Sequence, residues 1–546
     1  MAEIQFLPEH LDESTSRSCA SGSRTTATFL VVSLGLTASS YSWTNIDIIR
    51  ALTLRKPGET SGISAAVLVG FILGSIGIGA LADRHGRLVI SSLTAFLLLG
   101  SIGGTCAGGM ASLLGFPGAH ALCAELAVWN FLLGLGIGGE YALAAVYIVE
   151  SFCTNVAGSV RALSGAYACI AVGRLLAPLV AAAGLGLHMS AEASWRSGLA
   201  LVVALSLGSL AARCCLAHET PPFLEQRQAS VGAGAVKRAG MALVCRCPQA
   251  LGRALLGTCL ASFLQGLASG GLLLGTSSLT FLHRWTYLDE EVSGQLVAAL
   301  MSFPGYIAAF ALAKHGRRIW QLAGFGAMAV GFLGLAVASC TSQTGIQASL
   351  CSMLLVLSAG GPGATTYFVP AEVFPTCVRA SCMGITLAAG CAGWAVAMTG
   401  LQTLLNAAGT FVAMLVCAMV CAAGVVSTFF LTPQYSKQTL RSVAQIGPGK
   451  DKRESTVEAL ERCDQFRQCP SCEVMVERSG GCNVITCGNC QDVWCFACGG
   501  RGCHAWACSG IEADGCITLE ALPRLLWPDL SARACEPRQE AESASM

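Results

Sequence analysis

Long apolar stretches alternate with short polar loops along most of this chain. Each stretch is about 20 residues long, which is the length an α-helix needs to cross a lipid bilayer. The pattern predicts about twelve membrane-spanning helices in two sets of six, separated by a polar segment at 218–253. The predicted spans lie near 28–48, 62–82, 88–108, 122–148, 162–186, 197–216, 254–281, 293–313, 319–339, 348–371, 384–405 and 409–432.

Composition agrees with an all-α membrane protein that contacts lipid over most of its length. Hydrophobic residues make up 53% of the 546 positions and charged residues only 12%, with a mean hydropathy of +0.61. A soluble domain carries about 25% charged residues. The net charge of +1 predicts no nucleic-acid partner. The polar residues 1–26 contain no apolar core of a cleaved signal peptide.

Loop charges predict that both chain ends lie in the cytosol. The loops that this orientation places inside carry most of the lysines and arginines, as the positive-inside rule requires. The exception is the cluster of Arg50, Arg55 and Lys56 after the first span. The predicted inner-loop cations are Arg84, Arg87, Arg161, Arg213, Arg227, Lys237, Arg238, Arg246, Arg253, Lys314, Arg317, Arg318 and Arg379.

The pattern divides the chain into segments. We expect two six-helix halves, two polar linkers and a small cysteine-rich domain near the C-terminus. The predicted segments are a cytosolic N-terminus at 1–26, the first half at 27–217, a cytosolic linker at 218–253, the second half at 254–433, a linker at 434–462, the cysteine-rich domain at 463–516 and a disordered tail at 517–546.

A short basic loop recurs in both halves. GALADRHGRLVI, from Gly79, lies between the second and third spans, and AAFALAKHGRRIW, from Ala308, lies between the eighth and ninth. Each loop alone would be explained as a basic turn that sets topology. Their recurrence at matching places favours parallel halves, which is the architecture of a transporter that rocks about a central site.

These motifs resemble the major facilitator superfamily. GLGIGGEYALAA, from Gly134, and GPGATTYFVPAEVFPTCVRASCMGI, from Gly361, are similar to segments of its phosphate:proton symporters. The resemblance covers roughly 28–442 and implies alternating access, inorganic phosphate or another anion as cargo, and a proton as coupling ion. It also implies gating roles for Asp83, Arg84, Arg87, Glu150, Arg161, Arg317, Glu372 and Arg379.

Polar residues inside the predicted spans are the candidate substrate site. Glu140 lies mid-span, where a carboxylate is costly unless it faces a partner or a wet cavity. We expect it to accept the coupled proton, Tyr141 to offer a hydroxyl, and Arg174 to pair with Glu140 and bind the anion. Gln265 stands where the family has a seventh-span acid. The alternatives are a merely buried, protonated Glu140 and an Arg174 that reaches an interface or makes a structural ion pair.

The chain departs from the symporter pattern in ways that leave other functions open. Asn130 replaces an arginine ahead of the glycine run, and Ser39 and Ser42 replace first-span acids. A degenerate transporter that serves as a membrane sensor or anchor is therefore a second hypothesis. A sugar porter is a third, although it would want more polar and aromatic side chains facing the cavity.

The cysteine-rich segment has the spacing of a double zinc site. CxxC pairs place two thiolates on one metal, and four such thiolates, or three with a histidine, complete a tetrahedral zinc site. A disulfide module is the alternative, which the reducing cytosol disfavours. One predicted set is Cys469, Cys472, Cys487 and Cys490, and the second is Cys495, Cys498, His504 and Cys508, with Cys503 as a substitute.

This segment also resembles the catalytic zinc module of RING-between-RING ubiquitin ligases. Val476-Glu477-Arg478-Ser479-Gly480-Gly481-Cys482-Asn483 matches that module's motif, in which the cysteine takes ubiquitin as a thioester. The resemblance implies such a role for Cys482 and a partner in the ubiquitin system. Val484 replaces the usual histidine, which favours a structural or partner-binding zinc domain over an active ligase. We therefore expect a transporter and not an enzyme.

Overall fold

The structure is a computed structural model of the 546-residue chain. It describes a large helical unit and, separately, four short strands of a second unit that contains the C-terminal tail. The residues described are 10–53, 57–106, 119–152, 156–224, 250–277, 290–312, 316–341, 344–432, 466–468, 475–477, 484–486 and 493–495.

The helical unit consists of long apolar helices. Ten helical segments in the described part of the chain are long and apolar enough to cross a membrane, and two of them each contain two consecutive helices. The protein is therefore an integral, multi-pass membrane protein. The helices are α1 His10–Thr53, α2 Pro57–His85, α3 Arg87–Cys106, α4 Ala119–Ser151, α5 Val156–Gly186, α6 Ala191–Leu216, α7 Ala250–Ser277, α8 Glu290–Leu312, α9 Arg317–Ser339, α10 Thr344–Gly360, α11 Pro362–Val373, α12 Arg379–Val396 and α13 Gln402–Leu431.

Glycines let the helices pack closely within and between the two sets. Gly134 and Gly138 of α4 lie against the backbone of α2, where an added Cβ would collide with carbonyl oxygens of Val67 and Phe71. Gly384 of α12 lies equally close to the carbonyl of Ser75 on α2. The first set, α1 to α6, and the second set, α7 to α13, therefore meet along α2 and α12. They also meet along α5 and α8.

Two predicted spans differ in detail from the structure. The predicted tenth span, 348–371, is broken at Gly361, whose Cα packs against Gly324, and Pro362, which lacks an N–H, begins a new helix. α1 begins at His10, well before the predicted span, because residues 10–21 contain no proline or glycine that would stop a helix. The predicted boundary between the last two spans is matched by Gly409, whose positive φ of 82° interrupts α13.

Two antiparallel hairpins are described in the tail. Strand β1, Phe466–Gln468, pairs with β2, Met475–Glu477, with Phe466 opposite Glu477. Strand β3, Val484–Thr486, pairs with β4, Val493–Cys495, with Val484 opposite Cys495. The predicted zinc ligands other than Cys495, and the predicted nucleophile Cys482, lie outside the described residues.

Candidate functional site

A buried ion cluster joins the two halves at the end that carries the predicted cytosolic loops. Arg87, at the start of α3, donates from Nε and Nη2 to both carboxylate oxygens of Glu150, each at 3.0 Å, and both side chains are fully buried. Arg379 of α12 donates to the same carboxylate at 3.0 Å. Arg87 also donates to the carbonyl of Thr376 at 2.6 Å. We call Asp83, Arg87, Glu150 and Arg379 the latch.

Asp83 adds a second link between the halves. Its carboxylate accepts hydrogen bonds from the backbone N–H groups of Ala380 and Ser381, at 3.2 and 2.8 Å, and from the Ser381 hydroxyl at 2.7 Å. These N–H groups belong to the first turn of α12, where a helix has unpaired donors and a partial positive charge. The latch residues therefore link the two halves at this end of the bundle in the present conformation.

Glu219 and Thr220, which were not predicted from the sequence, support the latch. Glu219 accepts from the backbone N–H groups of Arg87 and Leu88, at 3.0 and 3.2 Å, and so caps α3. Thr220 donates to Glu150 at 2.7 Å. Both residues lie in the segment HETPPFL, from His218. A Glu-Thr pair directly after the sixth span was the available signal.

The other predicted gating residues are distributed differently. Within the second half, Arg317 donates two hydrogen bonds to the Glu372 carboxylate, from Nη2 at 3.0 Å and from Nε at 3.2 Å. Arg161 is exposed near the start of α5, and Glu150 takes Arg87 and Arg379 as partners instead. Arg84 is also exposed, at the end of α2. The gating roles of these residues stay predictions.

A cluster of tyrosines surrounds Arg174 between the halves. Arg174 of α5 is exposed to solvent, yet its Nη1 donates to the hydroxyl of Tyr306 on α8 at 3.3 Å, and it also interacts with the Tyr141 hydroxyl. The ring of Tyr167 lies 4.8 Å from that of Tyr306 and 5.7 Å from that of Tyr367. Among the described residues, the groups that contact or lie near Arg174 are the hydroxyls of Tyr306, Tyr141 and Tyr167, and none of them is a carboxylate.

Further contacts fix the tyrosine hydroxyls. Tyr367 donates to the carbonyl of Tyr141 at 3.2 Å, and Tyr167 donates to the carbonyl of Ala359 at 3.0 Å. Tyr141 packs edge-on against Phe71. The sequence analysis missed Tyr167, Tyr306 and Tyr367, although Tyr367 stands in the quoted tenth-span segment.

Glu140 lies in a different environment from the one predicted. It is 2% exposed, and its carboxylate contacts Arg213 of α6 and accepts from the Thr94 hydroxyl at 2.6 Å. The expectation that Arg174 pairs with Glu140 is therefore wrong. Arg213 is also not a loop residue, because it lies inside α6, 2% exposed, and donates to Ser91 at 2.7 Å and to Ser209.

Gln265 contributes a polar patch in the second half. Its amide Nε2 donates to the hydroxyls of Ser269 and Ser358, at 2.9 and 3.0 Å, and the side chain is 7% exposed. Its Oε1 is buried and has no hydrogen-bond partner among the described residues. Because Ser358 precedes Ala359, which binds Tyr167, this patch is continuous along α10 with the tyrosine cluster.

Aromatic rings lie between the halves further along the same helices. Trp43 of α1 packs edge-on against Trp394 of α12, with ring centroids 6.3 Å apart, and against Phe71 at 5.5 Å. Phe71 in turn contacts Tyr141 at 6.0 Å. Phe71 thus connects Tyr141 to the aromatic contact between Trp43 and Trp394.

The fold and the latch define a carrier of the major facilitator type. The chain belongs to the sugar (and other) transporter family, whose profile matches residues 15–247 and 248–446. The chain is 26% identical over 509 residues to the probable inorganic phosphate transporter 1-6 of Arabidopsis thaliana, covering 79% of this chain and 96% of that protein. It is 25% identical over 444 residues to the inorganic phosphate transporter PHO84 of Saccharomyces cerevisiae, covering 69% and 72%.

Solved structures show the same fold at lower identity. The chain is similar to the proton:xylose symporter XylE bound to a bromodeoxyglucose, with a TM-score of 0.61, 19% identity, and coverage of 76% of this chain and 97% of that one. It is also similar to the human organic anion transporter MFSD10, with a TM-score of 0.55, 15% identity, and coverage of 75% and 99%. At this identity the likeness establishes the fold alone.

Proposed function

We propose that this protein carries a small anion, inorganic phosphate or an organic acid, across a membrane by alternating access. The observation that carries the proposal is Arg174, a solvent-exposed cation ringed by tyrosine hydroxyls between the two halves. A guanidinium offers several N–H donors in a fork that matches the oxygens of phosphate or carboxylate. The relatives named as phosphate transporters support the same substrate class.

The polar groups around Arg174 fit a hydrogen-bonding anion better than a bare halide. Tyr141 and Tyr306 supply hydroxyl groups beside the guanidinium. The unpaired Oε1 of Gln265 is an acceptor for a protonated oxygen, such as that of dihydrogen phosphate. Proton coupling stays a prediction of the family resemblance, and the cytosolic position of both chain ends stays a prediction of the loop charges.

Uptake into liposomes tests the proposal. Purified full-length protein is reconstituted, and uptake of radiolabelled phosphate, sulfate, a dicarboxylate and xylose is measured with and without an inward proton gradient. We expect saturable uptake of an anion that other anions inhibit and xylose does not. Saturable xylose uptake without anion competition would make the protein a sugar porter. No saturable uptake of any of these solutes would instead favour the sensor or anchor hypothesis.

We also propose that the cysteine-rich tail binds two zinc ions. Each described hairpin is closed by a segment that contains one CxxC pair: Cys469 and Cys472 follow β1, and Cys487 and Cys490 follow β3. Hairpin turns of this kind bring two thiolates to one metal. Zinc content of the full-length protein, measured by mass spectrometry, is expected to be about two per chain.

A matched cysteine control separates specific zinc sites from adventitious binding. Replacing Cys487 and Cys490 by serine is expected to remove one zinc, whereas Cys214→Ser, at an exposed position of α6, leaves the content unchanged. Equal zinc in all three proteins would contradict the proposal. The thioester role of Cys482 stays a prediction, and a ubiquitin-discharge assay with Cys482→Ala tests it.

A further inference from the structure

Among the described residues, the hydrogen-bond and ion-pair partners of the Glu140 carboxylate belong to the first half of the bundle. Arg213 approaches from α6 and Thr94 from α3. On α1, Gly35 leaves the room for this contact, because an added Cβ would collide with both Glu140 Oε1 and Arg213 Nη2. Tyr367 of the second half binds the carbonyl of the next residue, Tyr141. The pair is therefore enclosed by α1, α3, α4 and α6.

The guanidinium of Arg213 is satisfied in the same way. Its Nε donates to Ser91 at 2.7 Å and its Nη1 to Ser209, so each of its three nitrogens has a partner. A cavity of about 10 Å³, room for one water molecule, lies beside the pair between Val31 of α1 and Tyr147 of α4. A carboxylate that is already matched by a fixed cation and a hydroxyl gains little from a proton.

The second half shows that the fold does not require charges here. Aligning the two matching loops makes Arg317 the equivalent of Arg87, so that Gly324 is the equivalent of Thr94 in the second half. Aligning Glu372 with Glu150 in the same way makes Pro362 the equivalent of Glu140. An added Cβ on Gly324 would collide with Pro362, so the two segments pack directly without a polar contact.

Arg213 also has an apolar equivalent in the second half. Thr220-Pro221 and Thr432-Pro433 follow the last helix of each half, and counting back equally from them puts Val425 opposite Arg213. Val425 packs against the apolar core of the second half. Since a buried ion pair is often no more stabilising than apolar side chains of similar size, its presence in one half points to a role beyond stability.

We infer that Glu140 and Arg213 form a permanently charged pair that positions Tyr141 for the substrate, and that Glu140 does not carry the coupled proton. Consecutive helical residues point about 100° apart, so anchoring Glu140 on α6 fixes the direction in which Tyr141 faces Arg174. Arg213 is thus a positioning residue. The uptake measurements that test this inference rest on the proposed function. The charge of the Glu140 carboxyl group is inferred from the geometry alone.

Uptake by single and double variants tests the pairing. Glu140→Gln leaves Arg213 as a buried unpaired cation, and Arg213→Gln leaves the buried Glu140 carboxyl group without its cation, so we expect each to reduce the maximal uptake rate about tenfold or more. The double variant Glu140→Gln/Arg213→Gln has no unpaired charge. We expect its maximal uptake rate to recover to within about threefold of wild type with the wild-type pH profile, whereas its KM stays raised because Tyr141 has lost its anchor. Cys214→Ser, next to Arg213 on α6 but at an exposed position, is the matched control.

A proton-carrying Glu140 would give a different result. In that case the double variant would lose gradient-driven uptake as completely as Glu140→Gln, and the pH profile would flatten in both. Such an outcome would overturn the inference, whereas absence of wild-type uptake would count against the proposed function only.

Chemical labelling tests the pair in protein that does not need to transport. Dicyclohexylcarbodiimide modifies protonated carboxyl groups in apolar surroundings, and mass spectrometry locates the adduct. We expect Glu140 to remain unmodified between pH 6 and 8 in wild type and to become modified in Arg213→Gln. Modification of wild-type Glu140 that increases as pH falls would overturn the inference even if the double variant failed to fold.

Discussion

Arg174 of α5 donates a hydrogen bond to the hydroxyl of Tyr306 on α8, at 3.3 Å, so a cation of the first half is bound directly by the second half. α5 and α8 form one of the two seams along which the halves meet. An anion that binds Arg174 competes for the donor that Tyr306 uses. Substrate binding at this point therefore changes a contact between the halves, which is what alternating access requires.

Substitution of Arg174 is expected to affect substrate affinity first. Arg174→Gln removes the charge, and we expect the KM for the transported anion to rise about tenfold or more. Arg174→Lys keeps the charge but loses the forked geometry, so we expect its KM to lie between those of wild type and Arg174→Gln. Initial uptake rates over a range of substrate concentrations measure this. An unchanged KM in Arg174→Gln would remove Arg174 from the site.

The two arginine–glutamate pairs are expected to differ in importance. Glu150 binds two arginines, one from each half, and is fully buried, whereas Glu372 binds Arg317 within the second half and is partly exposed. Loss of a fully buried partner for two cations costs more than loss of a partly exposed partner for one. We predict a larger fall in maximal uptake for Glu150→Gln than for Glu372→Gln. An equal fall in maximal uptake for both variants would show that the ion pairs of Glu150 across the two halves matter no more for transport than the ion pair within the second half.

Cys377, next to the latch in the link between α11 and α12, reports latch opening. Burial, and then the negative charge of Asp83, raise the pKa of the Cys377 thiol to about 11, so little reactive thiolate is present at neutral pH. Asp83→Asn weakens the cap on α12. We expect maleimide labelling of Cys377 to accelerate about tenfold, and labelling of wild type to increase with pH up to about 11.

Residue-specific mass spectrometry separates Cys377 from the exposed Cys214 and Cys215. His85→Gln, on the same turn as Asp83 but exposed, is the control and is expected to label at the wild-type rate. If Asp83→Asn labels no faster than this control, the contact of Asp83 with α12 does not hold the bundle closed.

Gly35 is expected to be intolerant of any side chain. In Gly35→Ala the new methyl group would occupy the position of the Glu140 and Arg213 side chains, which forces the pair or α1 to move. We predict a loss of about 1–3 kcal/mol in stability and a clear fall in melting temperature. Gly77→Ala is the matched control, because nothing lies within 4 Å of the added atom. Similar melting temperatures for both variants would contradict the close contact.

Sequence patterns predicted the helices well because span length and apolar content are set by the bilayer itself. The break at Gly361 was missed, since it depends on a contact with Gly324 from another helix. The four residues of the latch were predicted as gating residues from the family resemblance. The link between Glu150 and Arg379 needed the two halves to be placed against each other.

The candidate site was only partly predictable for a similar reason. An intramembrane carboxylate shows that a partner exists but not which one, and Arg213 and Arg174 were both within the spans. Periodicity along a single helix does not say which face meets a neighbour from the other half. The tyrosines around Arg174 come from α4, α5, α8 and α11, so only tertiary packing brings them together.

Equilibrium binding of radiolabelled phosphate to the purified protein tests the central claim most directly. Wild-type protein is compared with Arg174→Gln, with xylose and a dicarboxylate as competitors. We predict saturable binding to wild type that Arg174→Gln weakens about tenfold or more and that xylose does not displace. Equal anion binding by the two proteins, or tight xylose binding that Arg174→Gln leaves intact, would contradict the account.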